Sequence, residues 1–281
     1  MKIFSVLKPS LFKNFHPQED FFGISKKHPI FVVADGVALN FDDEKDYPKH
    51  SGAGEVAKIF CETVIFEAEK RYKNFKEQDL KDIFKVGNKA VLEYNNSQGR
   101  TKDSINYWDF DLFSATTAFV LIKGPKGHPK AYWWTLCDSG VALYGKKGSR
   151  LFISPDVWTV LDKFILDNFS NITGKERTKM LHRDYRNAVG KKGELTGYGV
   201  VDGEETAKFY LNIGTLDINA GDFILLFTDG FENYLKLKEF TGLFLKWPEN
   251  LENQLENIIS KKSKLEPKKY GQEKTLIAIA N

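Results

Sequence analysis

Ile30-Phe31-Val32-Val33-Ala34-Asp35-Gly36 and Phe223-Ile224-Leu225-Leu226-Phe227-Thr228-Asp229-Gly230 are the stretches on which the reading of this chain turns. Each is a short apolar run of β-forming residues that ends in an acid followed by glycine. Ala131 to Cys137 ends in a similar way, in Asp138-Ser139-Gly140. Asp-Gly is the commonest closure of a two-residue hairpin. Here, however, Asp35-Gly36 is followed by a polar stretch and then a helical pattern, and Asp229-Gly230 by an apparent helix, Phe231 to Phe240. No partner strand stands where a hairpin needs one. The pattern reads instead as carboxylates delivered where apolar strands leave a sheet. Hard cations such as Mg²⁺, Mn²⁺ or Ca²⁺ need oxygens that converge from different segments in this way. A glycine beside the acid also lets its own carbonyl approach an ion.

Working outward, Phe21 to Ile24 is a second short β-like run ahead of Ile30 to Ala34. Ala53 to Tyr72 carries a helical stripe through Val56, Ile59, Phe60, Val64 and Tyr72. A second helix opens at Asp79, a candidate N-cap, with Leu80, Ile83, Phe84, Val91 and Tyr94 on one face. Strands are expected at Ala115–Ile122, Ala131–Cys137, Val141–Tyr144 and Leu151–Ile153. Helices are expected over Asp156–Asn168 and Glu176–Val189, strands over Tyr210–Ile213 and Phe223–Thr228. Helices Phe231–Phe240 and Pro248–Ser260 precede a closing strand, Thr275–Ala280. Helices arrive in groups and strands in runs, without a βαβ rhythm, which favours an α+β fold of antiparallel sheets covered by helices. Gly193 to Gly203, with four glycines, reads as a mobile flap. Adjacent Trp133 and Trp134 must face opposite sides of their strand, one in the core and one under a helix.

The chain has 281 residues, 42% of them hydrophobic, enough for a large core. No run approaches the roughly 18 apolar residues of a membrane span, and the start, Met1 to Ser10, lacks a secretory h-region and cleavage site. Cys61 and Cys137 lie in apolar segments and read as buried thiols in a reducing compartment, not as a disulfide framework. A net charge of +3 gives no argument for nucleic acid. The acid-rich stretch Asn40–Lys49 and the five lysines of Lys261–Lys269 read as solvated loops or helix ends. With no linker or repeat, residues 1–281 form a single domain, and a cytoplasmic monomer is expected.

The order of the motifs resembles that of the metal-dependent serine/threonine protein phosphatases of the phosphatase 2C type. Gln18-Glu19-Asp20 looks like the family's first acidic motif and Val32-Val33-Ala34-Asp35-Gly36 like its second. Gly54-Glu55-Val56-Ala57 resembles the opening of its first long helix, and Ser114-Ala115-Thr116-Thr117-Ala118 its Gly-[ST]-Thr-Ala strand. Cys137-Asp138-Ser139 matches its Gly-Asp-Ser, Ser154-Pro155-Asp156 falls near its Thr-x-Asp-His, and Thr228-Asp229-Gly230-Phe231 is similar to its Ser-Asp-Gly-[LVF]. There are departures. The closing Asp-Asn is here Glu273-Lys274, and Phe15 stands where a phosphate-binding Arg is expected. Val37-Ala38-Leu39 replaces a Gly/His stretch, and Asn233 replaces an acid that some members carry.

The resemblance implies a four-layer α-β-β-α sandwich of two mainly antiparallel sheets flanked by helix pairs. It implies two Mn²⁺ or Mg²⁺ ions, with Asp35 bridging them and the Gly36 carbonyl completing one shell. Asp229 and Glu273 would ligate the first ion, Asp20 the second directly or through water, and Asp138 with Asp229 an optional third. The reaction implied is hydrolysis of phosphoserine or phosphothreonine in phosphoprotein substrates by a water between the ions. Lys13 or His16 would supply the missing positive charge and His50 the leaving-group proton. Asp109-Phe110-Asp111 lacks the preceding strand of a haloacid-dehalogenase motif, Asp138-Ser139-Gly140 lacks a second copy for an aspartic protease, and no nucleotide-binding glycine motif is present. The rival reading is a catalytically weak or silent phosphatase-like binding protein, motivated by the missing Arg and the altered Asp-Asn.

Overall fold

The computed structural model describes residues 1–11, 17–41, 46–125 and 127–281. Its strands are β1 (Lys2–Lys8), β2 (Phe21–Ile24), β3 (Ile30–Val37), β4 (Ser114–Lys123), β5 (Lys130–Leu136), β6 (Gly140–Tyr144), β7 (Arg150–Ile153), β8 (Asn212–Asp217), β9 (Phe223–Phe227) and β10 (Lys274–Ala280). Its helices are α1 (Gly52–Arg71), α2 (Asp79–Ser97), α3 (Val157–Phe169), α4 (Gly174–Met180), α5 (Lys238–Lys246), α6 (Leu251–Leu265) and α7 (Pro267–Tyr270). Two five-stranded sheets form, ordered β1-β10-β9-β6-β7 and β2-β3-β4-β5-β8. Every pairing between neighbouring strands is antiparallel.

The central strands are apolar on both faces because both faces are covered. Phe31, Val33, Val120, Trp133, Ile224, Leu226 and Ile277 fill the space between the sheets. Their neighbours Val32, Phe119 and Trp134 turn outward to pack under α1 and α2, against Phe60, Val64 and Phe84. On the other outer face Leu225 and Leu276 meet Phe240, Phe244, Leu255 and Ile259 of α5 and α6. The adjacent tryptophans divide as alternation requires. Trp134 stacks on Phe119 at 3.9 Å between ring centres, and Trp133 lies 5.0 Å from Phe152 across the sandwich. The result is the expected four layers.

Several elements differ from the sequence reading. The N-terminal residues Lys2–Lys8 are an edge strand paired with β10 along its length. Asp79 is the first residue of α2 and not its cap; Gln78 holds that place without a side-chain bond, and an Asp79 oxygen accepts the Lys76 N–H instead. The helix expected over Phe231–Phe240 is two single 3₁₀ turns, Asp229–Phe231 and Tyr234–Lys236, and regular helix begins only at Lys238. Spacings of three and four residues between apolar side chains are met by successive tight turns as well as by a helix. Glu176–Val189 is helical only to Tyr185, its last turn widened over Leu181–Tyr185, and β8 begins at Asn212, two residues beyond the expected start.

The flap expected over Gly193–Gly203 is pinned at its far end. Val201 exchanges backbone hydrogen bonds with Ala115 of β4, and Tyr198, Val200 and Val201 are buried. Beneath it lies a charged network joining the segment to the core. Arg186 makes two parallel bonds to Asp111, at 2.8 and 2.9 Å, and its Nε stands 3.3 Å from Asp202. His182 Nδ1 is 2.7 Å from the same Asp111 carboxylate, and Asn187 donates to Asp202. Burial would raise Asp111, but the His182 hydrogen bond and the Arg186 guanidinium hold its carboxyl down at about 2.

Candidate metal centre

One end of the sandwich collects the acids. Asp20 stands just before β2, Asp35 near the end of β3, Asp138 after β5, Asp229 after β9 and Glu273 just before β10. Asp35 and Gly36 do not follow their strand, as the sequence suggested, but lie inside it, opposite Thr116 and Ala115. A cleft of about 240 Å³ opens here, lined by Asp35, Gly36, Thr116, Asp138, Asp229 and Glu273 together with Ser10, Glu19, Val37, Ala38 and Gln272. Four of the five expected carboxylates therefore line one cleft, and Asp20 is buried beside them. His50 is exposed in the turn ahead of α1 and is not part of this lining. Lys13 and His16 lie outside the described residues.

The glycines of the two Asp-Gly pairs serve close approach. A Cβ on Gly36 would stand 2.8 Å from the backbone of both Ala53 and Glu19, and one on Gly230 would stand 1.9 Å from the Glu273 carbonyl oxygen. The start of α1 is thereby pressed onto β3, and the segment carrying Glu273 onto the Asp229 turn. Cys137 stands where the resemblance implies glycine, and its backbone is left-handed (φ 64°), a conformation that costs a side chain about 1 kcal/mol or more. This kink lets the chain pass from one sheet to the other and sets Asp138 at the cleft.

Motif neighbours to which the sequence assigned no role of their own hold the acids in place. Thr228 donates its hydroxyl to Asp20 at 2.8 Å and accepts the Thr275 N–H at 2.8 Å. One oxygen of Glu273 accepts the backbone N–H groups of Glu19, at 2.6 Å, and Asp20, at 2.5 Å, and also the Gln18 amide. Glu19, buried, accepts from Tyr47 and from Ser51, whose hydroxyl caps α1. The only hint in the sequence was that Glu19 adjoins Asp20.

The electrostatics are those of acids crowded together in a poorly solvated place. Burial first, then Glu273 and Asp229, push Asp20 up to about 8. Burial and Asp229 push Asp138 up to about 7. Asp35 rises well above the usual carboxylate range through burial and the charges of Asp20, Asp229 and Asp138. Lys274 moves the other way: burial pulls it down to about 8 against the pull of Asp20, Asp229 and Glu273. One buried oxygen on Asp20 and one on Asp138 have no hydrogen-bond partner. Among the described residues no three or more His, Cys, Asp or Glu side chains are already arranged around a single metal position. A hard cation that keeps most of its water needs only one or two carboxylates, so this donor set fits such ions.

A pH dependence follows. An Asp whose folded pKa is raised keeps a proton that the unfolded chain, titrating near about 3.9, has released. The stability it allows is complete below that value and is lost as pH rises through 7 and 8. The urea midpoint of metal-free protein should fall between pH 5 and 7.5, and saturating Mn²⁺ should remove the fall. A metal-free midpoint that rises over this range would contradict the acid cluster.

The family model for protein phosphatase 2C matches residues 10–263. No curated protein matches by sequence alone. Solved structures do. The Mycobacterium tuberculosis serine/threonine phosphatase PstP/Ppp is 15% identical, with a TM-score of 0.55 over 100% of this chain and 98% of its own. Stp1 from Staphylococcus aureus is 14% identical, with a TM-score of 0.58 over 100% and 94%. The catalytic domain of PstP in complex with 2 manganese ions is 15% identical, with a TM-score of 0.56 over 99% and 96%. At such identity these likenesses concern the fold, while the family match spans nearly the whole chain. The chain therefore belongs to the protein phosphatase 2C family of metal-dependent serine/threonine protein phosphatases.

Proposed function

We propose that Asp20, Asp35, Gly36, Asp229 and Glu273 hold two divalent cations, Mn²⁺ or Mg²⁺, that Asp138 with Asp229 offers a third position, and that the chain removes phosphate from serine and threonine of phosphoproteins. The observation that carries this is the convergence of Asp35, Asp138, Asp229 and Glu273, from four separate segments, on one cleft. When bound, such ions supply an activated water and neutralise the phosphoryl oxygens. The chain's own residues do the rest. Thr228 and the N–H groups of Glu19 and Asp20 fix the acids before substrate arrives. Without cations, Asp138 and Asp229 would repel a phosphomonoester dianion, so substrate binding should follow metal binding. A cleft of about 240 Å³ has room for a phosphorylated side chain. Since His50 lies outside the lining, the leaving oxygen takes its proton from solvent in this reading.

Buried, unpaired Cys61 and Cys137 suit a reducing cytoplasm, and no helix among the described residues is long and apolar enough to cross a membrane. Action as a monomer in signalling belongs to the same proposal. The test is phosphate release from a phosphothreonine peptide. It should require Mn²⁺, stop with EDTA and return when Mn²⁺ is restored. Folded protein that binds Mn²⁺ and releases nothing would overturn it. That outcome would leave the phosphatase-like binding protein, which is favoured by the commitment of one Glu273 oxygen to hydrogen bonds within the chain.

A further inference from the structure

Lys274 follows Glu273 at the start of β10 and is only 1% exposed. Along β10, Leu276 and Ala278 face the α5–α6 layer, while Ile277 and Ile279 face the other sheet. Lys274 shares the parity of the first pair and lies beneath the tight turns that follow Asp229. Its Nζ donates to the Gln272 carbonyl and stands 6.0 Å from the centre of the Tyr234 ring. A Cβ on Gly230 would come within 2.7 Å of the Lys274 Cβ, which shows how closely that turn rests on it. Among the described residues no carboxylate forms a salt bridge with this ammonium. A carbonyl and an aromatic face are weak compensation for burying a cation. The segments that carry the acids close around it: Gln272, whose carbonyl takes its hydrogen bond, lines the cleft, Glu273 is its neighbour in the chain, and Gly230 directly follows Asp229.

We propose that Lys274 is a built-in countercharge of the metal centre: a buried ammonium behind Asp229 and Glu273 that holds these acids together before cations arrive and weakens the site's grip on the cations once they do. This rests on the metal-centre reading above. Neither the bonds of Lys274 nor its position brings it into the cleft, so it is a positioning residue and not a catalytic one. A cation in a poorly screened interior repels a dication over several ångströms, and its removal should be felt directly in metal affinity.

The test is Lys274→Met, of similar length but neutral, with Lys274→Gln as a second neutral variant in case the first fails to fold. Calorimetric titration with Mn²⁺ should show tighter binding than in the unchanged protein, by roughly tenfold or more. The gap in melting temperature between metal-free and Mn²⁺-saturated protein should widen accordingly. Damage to a structural residue would loosen the site, so the sign separates the two roles. Equal or weaker Mn²⁺ affinity in a folded neutral variant would overturn the countercharge role and leave the metal centre standing. Absence of Mn²⁺ binding in the unchanged protein would overturn the metal centre, and the countercharge with it.

Discussion

Asp35→Asn should leave a folded protein whose Mn²⁺-dependent phosphate release has fallen by about 10³-fold or more, the loss of several kcal/mol of transition-state stabilisation. Asp35 stands half-buried at the cleft, and the charges of Asp20, Asp229 and Asp138 all raise its carboxyl. An amide of the same shape removes one negative charge from that cluster and one oxygen ligand from the proposed centre. The two effects pull stability in opposite directions. Above pH 7 the metal-free variant should melt at a higher temperature than metal-free unchanged protein, because repulsion has been relieved. It should also gain less from added Mn²⁺. Activity together with paired melting curves, with and without metal, checks both halves. Activity within tenfold of the unchanged protein would remove Asp35 from the centre.

Arg186→Ala is expected to cost about 3–5 kcal/mol, the range for breaking a buried ion pair by deleting one partner. The arginine side chain is 4% exposed, and Asp111 and Asp202 depend on it within a dry network. Its removal would strand Asp111, whose carboxyl is otherwise held down at about 2. Urea unfolding should show the loss. Hydrogen exchange should place it in residues 181–203, with the strands of the sandwich less affected. Replacing both partners, as in Arg186→Met with Asp111→Leu, should recover much of it, since an apolar pair carries no desolvated charge. A single variant that loses less than about 1 kcal/mol would mean the network contributes no more than an exposed pair.

The parts of this structure that were legible in the sequence are those in which local pattern and tertiary role coincide. Val32 and Val33 sit on opposite faces of one strand, and both faces are covered, so the unbroken apolar run announced a central strand. Asp-Gly without a following strand announced a carboxylate at the cleft. Trp133 and Trp134 divided as the two-residue repeat of a strand demands. The illegible parts depend on distant neighbours. Lys2–Lys8 is a partly exposed edge strand whose identity comes from β10, and its own alternation is weak. Phe231 and Tyr234 point into the core from consecutive tight turns and Phe240 from the helix after them, a succession that spacing alone does not distinguish from one helix. Arg186 finds Asp111 across 75 positions, and nothing local to either residue marks the pair. Glu19 looked like part of a metal-binding motif and proved instead to tie down Tyr47 and the cap of α1.

The pairing of β1 with β10 has a consequence for how the molecule is made. β10 comes after β1 and β9 in chain order, yet it lies between them, so β1 cannot join its sheet until residues 274–280 have been made. Until then β1 has no partner and the β10-facing edge of β9 stays open, both available to wrong partners. Glu273 arrives with the same strand. Completion of the sheet and completion of the acid cluster therefore wait on the same segment, and a chain without it has neither.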